Sequence, residues 1–455
     1  MKGSKRVRLS CCSGMVRCRA GTGISLLAIL LLACLTTPVL AILPECGGRI
    51  DTGESDVSAN SFLAMSANSS HLASISGNRI FLVTEDGRVA WNSTPGGDLR
   101  QIKITSGGER IAAASWDREL VLLDGNGTLL WKKDLPDHVL DLAVTGNGST
   151  ILTAGMVVWP GTGGNVTLTD GNGTMVWNYR TPVPVGSIAQ SDDGKYIVAG
   201  ASAYSRAEVL PEADLFFLDN TGHLLWSVTT HGGNAVAMDR SGSSVAVVTL
   251  NKNILALYTW DGARLFTRQL PVGSRSVVLS PDGNSVYIAV TAGEGPSENT
   301  RALPTVICLD RKGQPVWNNS PDVRIENTYY SSLHASGNGH VLVAGSSGGI
   351  VSILDENGAR LSECSADGPV QDVALSDNGK TIGVRTGNSL YRITREKPAE
   401  VNLSESGPEQ SFGVTVSPGQ PAQPTPTRQS PLMITVVVVA TGISLAVCRH
   451  SRKRG

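Results

Sequence analysis

Apolar residues along this chain come in short runs, each ended by a turn with glycine at its tip and Asn, Asp or Ser beside it. Runs such as residues 244–250 (SVAVVTL) and 284–290 (NSVYIAV) are rich in β-branched side chains, which suit a pleated, largely buried surface. Glycine in such a turn adopts positive φ without a Cβ clash, and a neighbouring Asn or Asp tolerates the left-handed region. Helical periodicity is nearly absent outside two hydrophobic ends, so the pattern predicts an all-β body.

The runs repeat. One turn reads VTEDGRVAW at 83–91, LLDGNGTLLW at 122–131, LTDGNGTMVW at 168–177, FLDNTGHLLW at 217–226, LYTWDGARLF at 257–266, CLDRKGQPVW at 308–317 and ILDENGARLS at 353–362. Its pivotal glycines, Gly87 to Gly358, stand 40–51 residues apart. A second turn interleaves with the first, as in QSDDGKYIVA at 190–199 and LSPDGNSVYIAV at 279–290, with a weaker copy lacking glycine at 65–74 (MSANSSHLAS). A period of this length with strands on either side predicts a β-propeller. In blades of four strands, A innermost to D outermost, the second turn joins A to B and the Asp-Gly turn joins C to D. Eight inner hairpins against seven outer ones predict eight blades, the last without its own D strand. Either residues 49–57 close the ring or residues 399–403 complete that blade locally; seven blades with one degenerate copy is the alternative.

Trp91, Trp131, Trp177, Trp226 and Trp317 fall four residues after the turn glycine, on the outer strand. Burying so large a side chain between neighbours would make each a core anchor from blade to blade. The Asp-x-x-Gly-x-x-x-Trp element resembles the repeat of quinoprotein-like (PQQ-like) propellers, and residues 279–290 resemble the hairpin of WD-repeat propellers. The resemblance spans residues 58–395. For the quinoprotein dehydrogenases it implies a quinone in the funnel, a calcium ion and a carboxylate near a vicinal disulfide. The only adjacent cysteines here, Cys11 and Cys12, precede the apolar N-terminal segment. No catalytic residue carries over, so the resemblance implies the scaffold alone: no cofactor, and no enzyme.

The ends place the protein. Residues 1–20 hold six basic residues and no acid, and an apolar run from Ile24 to Leu35 leads to Val39-Leu40-Ala41, a small-residue cleavage site. Residues 1–41 therefore read as a signal peptide, with Met15 as an alternative start and an uncleaved anchor or a lipidated Cys34 as rival readings. Residues 42–57 form an N-terminal segment and 58–403 the propeller. Residues 404–431 are a Pro/Thr/Gln-rich spacer that cannot build a core. Residues 432–448 read as one transmembrane helix, at the short end of what a bilayer requires. The tail, 449–455, is basic and favours a cytoplasmic C-terminus. This order describes a single-pass protein of the cell membrane with its propeller outside, and it resembles archaeal surface proteins.

Net charge over the whole chain is −1, but both ends are basic; without their ten basic residues 28 Lys and Arg face 39 Asp and Glu, or −11. An acidic body with no basic stripe argues against nucleic acid. Of eight cysteines, only Cys46, Cys308 and Cys364 lie in the body. A Cys46–Cys364 disulfide fits an oxidising exterior if the N-terminal segment closes the ring; three unpaired thiols are the alternative. Sequons stand at Asn68, Asn92, Asn126, Asn147, Asn165, Asn172, Asn318 and Asn402, candidates for N-glycosylation.

Catalytic motifs dissolve on inspection. Residues 345–349 (GSSGG) fit a nucleophile-elbow pattern but join two strands. Asp124 and Asp170 begin stretches resembling calcium loops that lack the downstream Glu, so turn chemistry explains them. The seven histidines have no zinc-binding spacing. Three B–C connections are longer than their turns require: residues 158–165, 202–213 and 292–303. They emerge on one face, where binding usually resides. Trp159, Tyr204, Arg206, Glu208, Glu294, Glu298 and Arg301 are the candidate partner-binding residues. The expectation is an interaction scaffold for another surface protein or an envelope polymer. Its rivals are an envelope assembly factor and a quinone-dependent oxidoreductase.

Overall fold

The computed structural model describes residues 43–52, 62–157, 163–202, 213–271, 273–274, 276–293, 302–321 and 328–395. Among them, 32 strands form eight four-stranded antiparallel sheets and there is no helix. Blades 1 to 7 occupy residues 63–93, 99–134, 138–181, 185–228, 234–269, 276–319 and 330–365 in turn. Blade 8 takes strands A to C from Val370–Leu375, Thr381–Thr386 and Leu390–Thr394, and its outermost strand is Arg49–Ile50. Arg49 lies opposite Tyr391 and Ile50 opposite Leu390, so the N-terminal segment closes the ring. The local alternative, 399–403, lies outside the described residues.

Burial follows strand position. B strands such as Arg110–Ser115 are buried nearly throughout, because a neighbouring blade covers each face. D strands such as Leu129–Asp134 are mostly exposed. The core is correspondingly divided into eight clusters, one for each seam between consecutive blades, and the eighth joins Ile50 and Leu390 of blade 8 to Leu63, Leu72 and Val83 of blade 1. Eight seams settle the blade number.

Turn chemistry is repeated as closely as the strands. Asp124 Oδ1 accepts the backbone N–H groups of Asn126 and Thr128, Asp170 Oδ1 those of Asn172 and Thr174, and Asp355 Oδ1 those of Asn357 and Ala359. That is why Asp begins these turns: its carboxylate satisfies donors the hairpin leaves open. The A–B turns pair a Ser with an Asn or Asp two residues on, as in Ser66–Asn68 at 2.8 Å and Ser191–Asp193 at 2.7 Å.

The five D-strand tryptophans are half-buried rather than sealed in the core. Each indole Nε1–H donates to a carbonyl in the C–D turn of the next blade: Trp91 to Gly125, Trp131 to Gly171, Trp177 to Asn220, Trp226 to Trp260 and Trp317 to Glu356, at 2.9–3.1 Å. The turn glycine of that neighbour lies on the ring, so a Cβ on Gly358 would stand 2.4 Å from Trp317. Blade 7 carries Ser362 at the equivalent position, and blade 8 has no C–D turn for it to meet. A Cys46–Cys364 disulfide holds that seam instead. Cys308 is a buried free thiol whose pKa burial pushes up to about 11.

Candidate binding site on the loop-bearing face

Five of the eight A strands around the central channel share a device. Register shifts at Leu99/Gln101, Val139/Asp141, Val185/Ser187, Tyr330/Ser332 and Val370/Asp372 mark a bulge just before a polar side chain. That side chain reaches the next blade. Gln101 Nε2 donates to the Leu140 carbonyl at 2.9 Å, Asp141 Oδ2 accepts from Ile188 N–H at 2.9 Å, and Asp372 Oδ2 accepts from Leu63 N–H at 3.2 Å. Burial raises the Asp141 pKa, and Lys103 opposes the shift. Burial lowers the His334 pKa; Asp372 opposes this and the Lys103 charge adds to it. These channel carboxylates are engaged in joining blades.

On the face of the A–B turns, Arg240 of blade 5 crosses the channel mouth. It pairs with Asp192 of blade 4 and with Asp377 of blade 8 at 3.0 Å, and its Nη1 donates to the Gly337 carbonyl of blade 7 at 2.8 Å. Beside it lies a polar hollow of about 320 Å³.

The opposite face, bearing the B–C connections, holds a different recess. A cavity of about 490 Å³ is lined by Phe62, Arg100, Trp116, Val139, Leu140 and Met156, among others, at the starts of A strands and the ends of B strands. Trp116 sits in the tight B–C turn of blade 2, stacked on His138 with centroids 4.7 Å apart. His138 Nδ1 lies 2.7 Å from the Trp116 carbonyl, which can only accept, so Nδ1 carries a proton. The Arg100 guanidinium stands 5.4 Å from the Trp116 ring centroid and ion-pairs with Asp98 at 2.6 Å. Arg118, in the same turn, has a left-handed backbone with φ +68. The residue at that place, immediately before strand C, is Asn253 in blade 5 and Gly349 in blade 7, residues that accept such a φ easily.

The seven residues expected from sequence to bind a partner, Trp159, Tyr204, Arg206, Glu208, Glu294, Glu298 and Arg301, all lie outside the described residues. The connection expected at 292–303 is shorter, because strands B and C of blade 6 extend to Gly293 and from Ala302. Residues 164–165 likewise belong to strand Gly164–Asp170 rather than to a loop. Asn165 there is 6% exposed and its amide donates to Asp137 Oδ2 at 2.5 Å, which leaves no room for a glycan. Asn68, Asn92, Asn126, Asn147, Asn172 and Asn318 are exposed; Asn402 lies outside the described residues. Trp116, Arg100 and His138 were not singled out from sequence. The available signal was a tryptophan out of register with the D-strand series.

Residues 52–204 match the family described as outer membrane protein assembly factor BamB. No curated protein matches the sequence. Among solved structures, Sqt1 from Chaetomium thermophilum bound to the N-terminus of the ribosomal protein L10 is similar with a TM-score of 0.61 and 14% identity, over 77% of this chain and 100% of that one. The C-terminal WD40 domain of Sif2 is similar at 0.60 and 13%, over 78% and 100%. Hydrazine synthase from Kuenenia stuttgartiensis gives 0.51 and 15%, over 79% and 98%. At such identities these likenesses show the fold. The chain is a PQQ-like and WD-like β-propeller. Among the described residues of this propeller, no helix is long and apolar enough to cross a membrane; residues 432–448 lie outside them.

Proposed function

We propose that this propeller is a membrane-tethered extracellular scaffold that holds a protein partner on its loop-bearing face and performs no chemistry of its own. The observation that carries the reading is the asymmetry of the two faces. One has tight turns and a mouth crossed by Arg240; the other has longer connections and an apolar recess edged by aromatic and cationic side chains. The order of leader, acidic body, spacer, apolar run and basic tail supports the tether. Sqt1, of similar fold, was solved with a protein terminus bound, which supports a protein as the occupant.

Crosslinking on intact cells, followed by capture of the tethered chain, tests the reading. A partner should be recovered from wild type and lost when residues 203–212 and 294–301 are shortened to four-residue turns, with circular dichroism unchanged. Loss only on altering the turns at Asp192-Asp193 or Asp282-Gly283 would move the site to the other face. A second reading, an envelope assembly factor, is favoured by the match of residues 52–204. Deleting the gene should then deplete other envelope proteins, whereas a simple adhesion scaffold leaves their levels unchanged.

A further inference from the structure

Resting on that reading, we propose that the cavity beside Trp116 is the anchor site for an extended segment of the partner, one that carries a large apolar side chain next to an acidic residue. At about 490 Å³ the recess takes one or two side chains with their backbone, and it is too small for a helix roughly 10 Å across. Phe62, Val139, Leu140 and Met156 supply an apolar wall. The Trp116 ring is already engaged by His138 and Arg100, which favours a side chain filling the recess over a flat cofactor stacked on the indole.

Charge is confined to one edge. Arg100 directs Nε and Nη2 to the same Asp98 oxygen, at 3.0 and 2.6 Å, and Nη1 has no partner among the described residues. Arg118 is exposed, and its guanidinium likewise has no partner among the described residues. Its backbone conformation costs an L-residue about 1 kcal/mol or more, which a glycine there would not incur. An arginine in a place that suits glycine, two residues from the Trp116 that lines the apolar recess, points to a carboxylate as its counterpart. Asp98 and Asp117 lie in the same region, and Asp117 accepts the Asp98 N–H, so the attraction is local to the two guanidinium groups rather than a net positive field.

A phage-displayed library of random heptapeptides, panned against the full chain in detergent, tests this. Selected sequences should place Phe, Trp, Leu or Met directly beside Asp or Glu. A synthetic peptide of the selected type should bind at least tenfold more weakly to Trp116→Ala. Arg100→Glu should turn the preferred flanking residue from acidic to basic. Since Trp116→Ala could unfold the turn, Arg118→Gly gives a second readout of opposite signs: a higher melting temperature, from relieved strain, together with at least threefold weaker peptide binding. Absence of enrichment over the unselected library would overturn the proposal, as would affinities equal to wild type in both arginine variants. If no peptide is selected while intact cells still yield a crosslinked partner dependent on the long loops, the anchor site falls and the scaffold reading stands.

Discussion

Trp226 illustrates how one residue serves two blades. Its ring stacks on Phe217 of its own blade at 4.9 Å and 7°, and its Nε1–H ends on the Trp260 carbonyl of the next. Trp226→Ala should cost about 3 kcal/mol, the low end for a large aromatic because the site is half-buried, read as a lower denaturant midpoint. Trp260→Ala, at a position 53% exposed, should cost less than about 1 kcal/mol. Gly262 has φ +86, and a Cβ there would stand 3.0 Å from the Trp226 ring, so Gly262→Ala should destabilise by about 1–2 kcal/mol. The Gly-x-x-x-Trp spacing was legible because it recurs. Its physical partner was not, because the indole meets the glycine of the following repeat rather than its own. The A-strand links were hidden for another reason: Gln101, Asp141, Ser187, Ser332 and Asp372 are of three chemical kinds, brought to one role by a bulge that leaves no mark in the apolar pattern. Loop length, the cue used for the binding face, pointed past Trp116, whose turn is short.

Among elements, the closing strand has the least pairing and the most reinforcement. Arg49–Ile50 is two residues long. The segment before it exchanges hydrogen bonds with blade 7, Cys46 N–H to the Ser365 carbonyl at 2.9 Å and Ser365 N–H to the Pro44 carbonyl at 2.8 Å. Arg49 then pairs with Asp367 at 3.2 Å, and Arg392 N–H donates to the Gly48 carbonyl at 2.9 Å. The disulfide joins residues 318 apart, a separation at which the chain-entropy effect of a crosslink is large. Cys46→Ser or Cys364→Ser should therefore lower stability by about 2–5 kcal/mol, and a reductant should lower the melting temperature of wild type but not of either variant. That the last blade lacks a D strand of its own was legible from eight inner hairpins against seven outer ones. The choice between the two ends of the chain was not, since residues 49–57 and 399–403 each hold only a few apolar side chains among polar ones.

Over the whole molecule, acid acts in two stages. His334 has a folded-state pKa below its usual value near 6.5, through burial, so it contributes stability that is present above pH 6.5 and lost as pH falls through the lowered value. Turn carboxylates form a second stage: the Lys195 hydrogen bond holds Asp193 at about 2, and the Ser280 hydroxyl lowers Asp282. Their contribution is present above the usual carboxylate value near 3.8 and lost as pH falls through the folded values. Asp141, raised by burial, acts in the opposite sense, its contribution being lost as pH rises through its folded value. Thermal melts between pH 8 and 2 should show the upper stage disappear in His334→Gln while the lower one remains. On the proposed topology, protease added to intact cells should digest the propeller or its spacer and spare the basic tail; full protection of the propeller would place it on the inner side. Blade 8, assembled from residues 49–50 and 370–394, has a further consequence in the order of synthesis. A ribosome delivers its outermost strand first and that strand's neighbours last, so seven blades must wait, open-ended, for a partner more than three hundred residues behind. Any truncation before Tyr391 leaves that first strand incompletely matched, which gives cellular quality control one late checkpoint at which to distinguish a finished chain from an interrupted one.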